Sequence, residues 1–212
     1  MRIENHRLLS ATPDFKPEYQ ADEWGGPLKA EILVIHYGVT HTAGVTAAVL
    51  KAREYASSHL TIDSKGRTIQ QVPFDRVAYH AGASAYRGRK DCNKFALGIE
   101  VSNPGPLLKQ PDGSFRDVNG HAWSGGVVEA WHPNDKHKQG WKYWAEYSQT
   151  ELDLCAHIGE LLRLEYGLTD VVGHDEIAPG RKSDPGPAFP MAWLRETLFP
   201  MTKRDTIPDT EP

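Results

Sequence analysis

The segment Ile32–Ile35 constrains the fold most, because it places four consecutive apolar residues directly before a histidine. Three of the four are β-branched, which is typical of a buried strand rather than of a helix. His36 stands at the C-terminal end of this run. We therefore predict an internal strand of a sheet that ends at a side chain able to do chemistry.

Further strands and helices follow in alternation along the chain. Alternating apolar residues on either side of the turn sequence Asp63–Gly66 predict a β-hairpin. The remaining predicted elements are a helix from 42–44 to about 55, a strand over 95–102, a helix over 150–166 that stops at Gly167, a strand that ends at His174, and a helix over 189–199. This order predicts an α/β fold, a central mixed β-sheet flanked by helices.

The chain divides into three parts by composition. Residues 1–29 are polar and predict an irregular lead-in, residues 30–200 form the main domain, and residues 201–212 are a polar tail. Within the domain, residues 103–148 carry several Pro-Gly and Asn-Gly turns and four of the six tryptophans. We predict a long, loop-rich insertion there, which is ordered by its aromatic residues.

Charge and composition exclude several classes of protein. Twenty-four basic and 28 acidic residues give a formal net charge of −4, which argues against nucleic acid as a partner. No apolar run is long enough for a membrane span, and the N-terminus lacks the apolar core of a signal peptide. Two cysteines without C-x-x-C spacing fit a reducing compartment. We expect a cytoplasmic protein.

Three side chains suited to catalysis fall at predicted strand ends, namely His36, Glu100 and His174. The segment 171–187 adds several carboxylates and cations among glycines and prolines. A catalytic zinc needs about three N or O ligands and an open position, which His36, His174 and Asp184 could provide. Spacing alone does not select them, since other candidates are equally available, namely His41, His59, His80, Asp175 and Glu176.

Four stretches carry a resemblance to a known family: VIHYG, SSHLTIDSKGRTIQQVPFDRVAYHAG, NKFALGIEVSNPG and VVGHDEIAPGRKSDPGPAF. In this order they resemble the type 2 N-acetylmuramoyl-L-alanine amidases, over roughly residues 30–200. That family includes phage endolysins, the cytoplasmic muropeptide-recycling amidase and the peptidoglycan recognition proteins. The string GHDEIAPGRKSDPGP is highly specific, whereas VIHYG alone is weak. The family's fold is a central mixed β-sheet with flanking helices.

The resemblance implies a role for each matching residue. His36, His174 and Asp184 match the ligands of a catalytic Zn²⁺, Lys182 matches a catalytic lysine, and Glu100 matches the catalytic glutamate of the recycling branch. Phage members instead carry a tyrosine at the position of Ser58. Such a site would cut the amide bond between N-acetylmuramic acid and L-alanine in peptidoglycan or in muropeptides. Binding-only members lack a workable third ligand.

Other residues are assigned less directly. We predict that His80, Asn93 and Arg87 contact substrate, although His80 could instead orient the wall of the cleft. His59 is interpreted as structural, and Asp175 and Glu176 are given no chemistry. The tryptophans of 103–148 either stack on sugar rings or form a small core of their own.

Two other functions remain open: a module that binds peptidoglycan without cutting it, and an antibacterial toxin with the same amidase chemistry. The insertion is much longer than the equivalent loop of the compact recycling branch. We therefore expect that intact wall is accepted besides anhydro-muropeptides. The resemblance to phage endolysins also implies a second possible location, the cell wall, to which a holin would release the protein.

Overall fold

The fold was obtained as a computed structural model, which describes residues 1–9, 21, 24–134, 140 and 142–200. Its strands are β1 (Arg2–Glu4), β2 (Arg7–Leu9), β3 (Ile32–Tyr37), β4 (Leu60–Ile62), β5 (Thr68–Gln70), β6 (Ala85–Tyr86), β7 (Arg89–Lys90), β8 (Ala96–Val101), β9 (Pro106–Lys109), β10 (Phe115–Asp117), β11 (Ala122–Trp123), β12 (Val127–Glu129), β13 (Tyr143–Ala145) and β14 (Asp170–Gly173). Its helices are α1 (Ala43–Lys51), α2 (Gln149–Tyr166), α3 (His174–Ile177) and α4 (Met191–Leu198), with a 3-10 turn at Cys92–Lys94.

A five-stranded sheet in the order β14-β3-β8-β4-β5 forms the centre of the fold. The first four strands are parallel, and β5 runs antiparallel to β4 as the second arm of the predicted hairpin. The sheet is therefore mixed, and the predicted α/β class is confirmed. Strand β3 lies between β14 and β8, which explains why its first four residues are all apolar.

Alternate residues of β3 face two different layers of the core. Leu33 and Ile35 belong to the large cluster that also contains apolar residues of α2 and α4. Ile32 and Val34 belong to a second cluster on the opposite face. Because side chains alternate along a strand, His36 lies on the face of Ile32 and Val34, away from α2.

The helix ends follow local capping chemistry. The Thr42 hydroxyl accepts the Val45 amide at the start of α1, and Ser148 and Glu151 form a reciprocal capping box at the start of α2. Gly167 ends α2 with a φ of 67°, the left-handed conformation that glycine adopts most easily. No helix within the described ranges combines the length and apolar character that crossing a membrane would need.

The lead-in is more regular than predicted. Strands β1 and β2 form an antiparallel hairpin, and Leu8 is buried in the main core. The Leu8 amide donates to the Gln70 side chain at 2.8 Å, so this hairpin is attached to β5. Residues 10–20, 22 and 23 and the predicted tail 201–212 lie outside the described residues.

The insertion is also more regular than the predicted loop. It forms a second sheet of five short antiparallel strands in the order β11-β10-β9-β13-β12. Trp144 is buried, with only 1% of its surface exposed, and its indole N–H donates to the carbonyl of Ala130. Trp131 is 63% exposed, and Trp141 lies outside the described residues. Trp144 is therefore a buried packing residue, and its ring lies against Gly186 of the main domain.

Candidate metal centre

Three parallel strands bring the predicted site residues to one edge of the central sheet. His36 of β3 lies directly opposite Glu100 of β8 in the strand register. Gly173 of β14 pairs with Ile35, so His174, the next residue, emerges beside His36. The loop after α3 then returns Asp184 to the same edge. The prediction that His36, Glu100 and His174 meet where strands end is therefore confirmed.

The side chains of His36, His174 and Asp184 converge on one point. Nδ1 of His36 and Nδ1 of His174 each lie 2.9 Å from Oδ2 of Asp184, and the two nitrogens are 2.8 Å apart. All three residues are buried. Burial alone would raise the pKa of Asp184, but its contacts with His174 and His36 hold that pKa well below its usual range.

The outer nitrogens of both imidazoles contact neighbouring groups that hold the rings in place. Nε2 of His174 donates to the carbonyl of Ala81 at 3.0 Å. Nε2 of His80 donates to the carbonyl of Ala96 at 3.3 Å, which leaves Nδ1 of His80 as an acceptor for Nε2 of His36 at 2.9 Å. In both rings Nδ1 is thus the nitrogen that faces Asp184, and Nε2 contacts the surrounding protein.

A divalent cation fits this donor set. Two imidazole nitrogens and one carboxylate oxygen point at one position, and such a set of nitrogen and oxygen ligands suits a divalent ion such as zinc. Burial, and then the neighbouring His174, lower the pKa of His36 to about 4, so this ring is neutral at physiological pH. Hydrogen bonds from the outer nitrogen of a ligand histidine are typical of metal sites.

A cavity of about 310 Å³ opens above these three residues. Glu100 and Lys182 both line it, and Oε1 of Glu100 lies 4.0 Å from Nδ1 of His36. Burial, and then the Asp184 carboxylate, raise the pKa of Glu100 to about 8. Ser58, the position at which phage members carry a tyrosine, does not line the cavity. It is buried, and its hydroxyl donates to the Gly98 carbonyl.

The three predicted substrate contacts are placed differently from one another. His80 lines the cavity and also supports His36, so the alternative of an orienting residue fits its contacts. Asn93 accepts the backbone amides of His80 and Ala81, and it does not line the cavity. Arg87 lies at the exposed tip of the β6–β7 hairpin, 3.5 Å from Asp170 and outside the cavity.

Two residues at the site, Arg181 and His132, were not predicted from the sequence. The Arg181 guanidinium donates to the carbonyls of Ala81 and Ala83, and its place within GHDEIAPGRKSDPGP was the available signal. His132, from the insertion, lies 2.9 Å from the carboxylate of Asp175. No local pattern signals that contact, because it joins distant parts of the chain.

The family profile described as N-acetylmuramoyl-L-alanine amidase matches residues 26–187. This range contains the complete His36–His174–Asp184 centre and most of the domain. The chain belongs to the N-acetylmuramoyl-L-alanine amidase family. The resemblance drawn from the sequence motifs is therefore confirmed.

Relatives within the amidase family include enzymes of two kinds. AmpD of Citrobacter freundii, a 1,6-anhydro-N-acetylmuramyl-L-alanine amidase, is 31% identical over 149 residues, which are 70% of this chain and 60% of that protein. The N-acetylmuramoyl-L-alanine amidase AmiD of Escherichia coli is 28% identical over 176 residues, 79% of this chain and 53% of that protein. The chain thus spans little more than half the length of these curated relatives.

A solved structure supports the same fold assignment. Escherichia coli AmiD, in complex with the substrate anhydro-N-acetylmuramic acid-L-Ala-D-gamma-Glu-L-Lys, matches with a TM-score of 0.59 at 27% identity. The match covers 84% of this chain and 60% of that chain.

Proposed function

We propose that this protein is a zinc-dependent N-acetylmuramoyl-L-alanine amidase, which hydrolyses the amide bond between the lactyl group of N-acetylmuramic acid and L-alanine. The observation that carries the proposal is the convergence of two imidazole nitrogens and a carboxylate oxygen at the base of a cavity. A group able to transfer protons, Glu100, lines the same cavity.

His36, His174 and Asp184 would hold the zinc ion. A set of two histidines and one carboxylate is typical of catalytic zinc, which leaves a position open for water. When bound there, zinc would polarise the substrate carbonyl and lower the pKa of a water molecule toward neutrality. His80, through its contact with Nε2 of His36, would keep that ligand in its metal-binding tautomer.

Glu100 would act as the general base and then as the general acid. It would take a proton from the attacking water and deliver a proton to the leaving nitrogen of L-alanine. A carboxyl group whose pKa lies near the working pH is suited to both steps, and the pKa of Glu100 is raised to about 8. Lys182 and Arg53 line the same cavity, and their charges oppose this rise.

Lys182 would stabilise the negative charge that develops on the carbonyl oxygen during attack. It lies two residues before Asp184, on the loop that closes the cavity. A fixed positive charge beside a developing oxyanion lowers the barrier most when it is already in place in the free enzyme.

The substrate class follows from the relatives. AmiD binds an anhydro-muramyl tripeptide, and AmpD is named for anhydro-muramyl peptides. We propose that this chain likewise acts on muropeptides, and on intact peptidoglycan as well. The cytoplasmic location stays a prediction, and the relatives do not support release through a holin.

A product analysis tests the proposal. Purified protein would be incubated separately with anhydro-muropeptides and with intact sacculi, and the products would be identified by mass spectrometry. We expect free L-Ala-containing stem peptides, activity that a chelator removes and zinc restores, and about one catalytic zinc per chain. Binding of muropeptides without any product would instead assign a recognition module.

The variant Glu100→Gln separates metal binding from turnover. We expect it to keep its zinc while kcat falls by about 10²–10⁴-fold. The matched control is Glu165→Gln, which changes an exposed glutamate of α2 in the same way and should behave as wild type. Wild-type rates in Glu100→Gln would remove this residue from the mechanism.

A further inference from the structure

A second group of two histidines and one aspartate lies outside the candidate catalytic centre. It consists of His41, Asp117 and His121, none of which lines the cavity above His36. His41 follows β3 in the loop that leads to α1, whereas Asp117 ends β10 and His121 precedes β11 in the insertion. The cluster therefore joins the main domain to the second sheet.

The geometry of this cluster repeats that of the catalytic centre. Nε2 of His41 and Nδ1 of His121 lie 2.8 and 3.0 Å from the same carboxylate oxygen, Oδ2 of Asp117. The two rings meet edge to face at an angle of 83°. At the catalytic centre, two imidazole nitrogens likewise share Oδ2 of Asp184, and the rings meet at 75°.

The Asp117 carboxylate is held in place for ligation. Its side chain is fully buried, and Oδ1 accepts the backbone amides of Asn119 and His121 at 2.9 and 2.8 Å. Oδ2 is thereby turned toward the two histidines. Backbone hydrogen bonds to the non-ligating oxygen fix the orientation of a carboxylate, as is typical around metal ligands.

The histidines have room to adjust around an ion. Their side chains are 37% exposed at His41 and 68% exposed at His121. Zinc ligands at about 2.0–2.2 Å in tetrahedral geometry lie about 3.3 Å from one another, so the two distances from nitrogen to Oδ2 of Asp117 need to open by only a few tenths of an ångström. Imidazole nitrogens with one carboxylate favour zinc over magnesium or calcium.

We propose that His41, Asp117 and His121 form a second zinc site, which ties the β10–β11 hairpin of the insertion to the loop after β3. The ion is bound by three protein ligands from two layers of the molecule, with water completing its coordination. Bound metal crosslinks the β10–β11 hairpin to the loop after β3.

Zinc stoichiometry in single and double variants tests the second site. We expect about two zinc ions per wild-type chain and about one in His121→Ala or His174→Ala. The double variant His174→Ala/His121→Ala should bind none. The control His157→Ala removes an exposed histidine of α2 and should retain both ions.

The outcomes separate this proposal from the catalytic one. Loss of one ion in His121→Ala but none in His174→Ala would leave the second site standing and overturn the catalytic zinc. Equal zinc content in wild type and His121→Ala would overturn the second site and leave a hydrogen-bonded triad only. Because His121 is largely exposed, His121→Ala should fold, and circular dichroism of the same samples checks this. A zinc-dependent rise in melting temperature should persist in His174→Ala and disappear in the double variant.

Discussion

Lys182 lines the cavity from the loop that also carries Asp184, so its position is fixed by the same segment as the proposed metal ligand. We expect Lys182→Met to reduce kcat by about 10²–10³-fold, because the neutral side chain cannot stabilise an oxyanion. Zinc content should be unchanged, since Lys182 supplies no ligand. Steady-state kinetics with a muropeptide and metal analysis of the same sample would measure both.

The matched control for that change is Lys90→Met, at an exposed lysine of β7. It removes the same charge from the protein without touching the cavity. If both variants lost activity equally, net charge and not a local contact would account for the effect.

His59 is a second residue with a defined electrostatic consequence. It is buried, its Nε2 donates to the Arg76 carbonyl, and its Nδ1 accepts the Gly98 amide. Burial lowers the pKa of His59 to about 4, although the hydrogen bond to Arg76 opposes this. Between pH 6.5 and 4 the unfolded chain therefore binds a proton that the folded chain does not, and the free energy of unfolding falls as the pH falls.

We predict that this single residue removes about 2 kcal/mol of stability between pH 7 and pH 5. The variant His59→Gln should lose that much less than wild type over the same interval, even if it starts from a lower stability. Urea unfolding at both pH values measures the difference, with His157→Gln as a control that should follow wild type. Identical pH dependence in His59→Gln and wild type would contradict the prediction.

Strand β8 limits the position of the His80 ring through the close approach of Gly98. A Cβ atom at Gly98 would lie 2.7 Å from Cγ and Nδ1 of the His80 ring, which supports His36. We expect Gly98→Ala to lower the free energy of unfolding by about 1–3 kcal/mol, because a packed ring must move. Zinc affinity should fall as well, since the displaced ring supports the ligand.

The control for Gly98→Ala is Gly26→Ala, because an added Cβ at Gly26 would meet nothing within 4 Å. Its unfolding free energy should stay within about 0.5 kcal/mol of wild type. Chemical denaturation compares the two variants, and a stable Gly98→Ala protein with full zinc affinity would refute the close-packing explanation.

The elements of the central sheet were largely predictable from sequence. The apolar run of β3, the capping residues of α1 and α2 and the turn at Asp63–Gly66 are local signals, and each marks its element correctly. The register that sets His36 opposite Glu100 is not local, but both residues lie at or near the ends of predicted strands. The ligand set itself came from the motif and not from spacing.

The insertion was predicted less well, for a physical reason. Its strands have only two to four residues, too few to show a clear alternation of apolar and polar side chains. Two turn signals were present, however. Gly113 and Gly120 both have positive φ in the turns on either side of β10, and each follows an aspartate or asparagine that favours a hairpin turn.

At the scale of the whole molecule, the insertion supports the proposed metal centre. His132 contacts the Asp175 carboxylate, and the Asp175 amide donates to the carbonyl of Asp184 at 2.8 Å. We expect His132→Ala to weaken zinc binding by about 10–100-fold, because the ligand loop loses an outer support. Competition with a chromophoric chelator measures the affinity.

The control for His132→Ala is again His157→Ala, since it removes a histidine without touching the ligand loop. Circular dichroism should show that both variants keep the fold. Unchanged zinc affinity in His132→Ala would mean that the insertion merely lies against the domain.

The ring of Trp144 lies so close to Gly186 that an added Cβ there would approach it to 3.0 Å, and the Tyr147 hydroxyl donates to the carbonyl of Pro185. The segment that carries Asp184, the last proposed ligand along the chain, therefore packs against residues that precede it in the sequence. Trp144 and Tyr147 also precede His174, so the surface that positions the carboxylate is already synthesised when the last two proposed ligands emerge. Metal capture should accordingly complete maturation instead of starting it, and shortening the second sheet would yield an apoprotein that folds but stays empty.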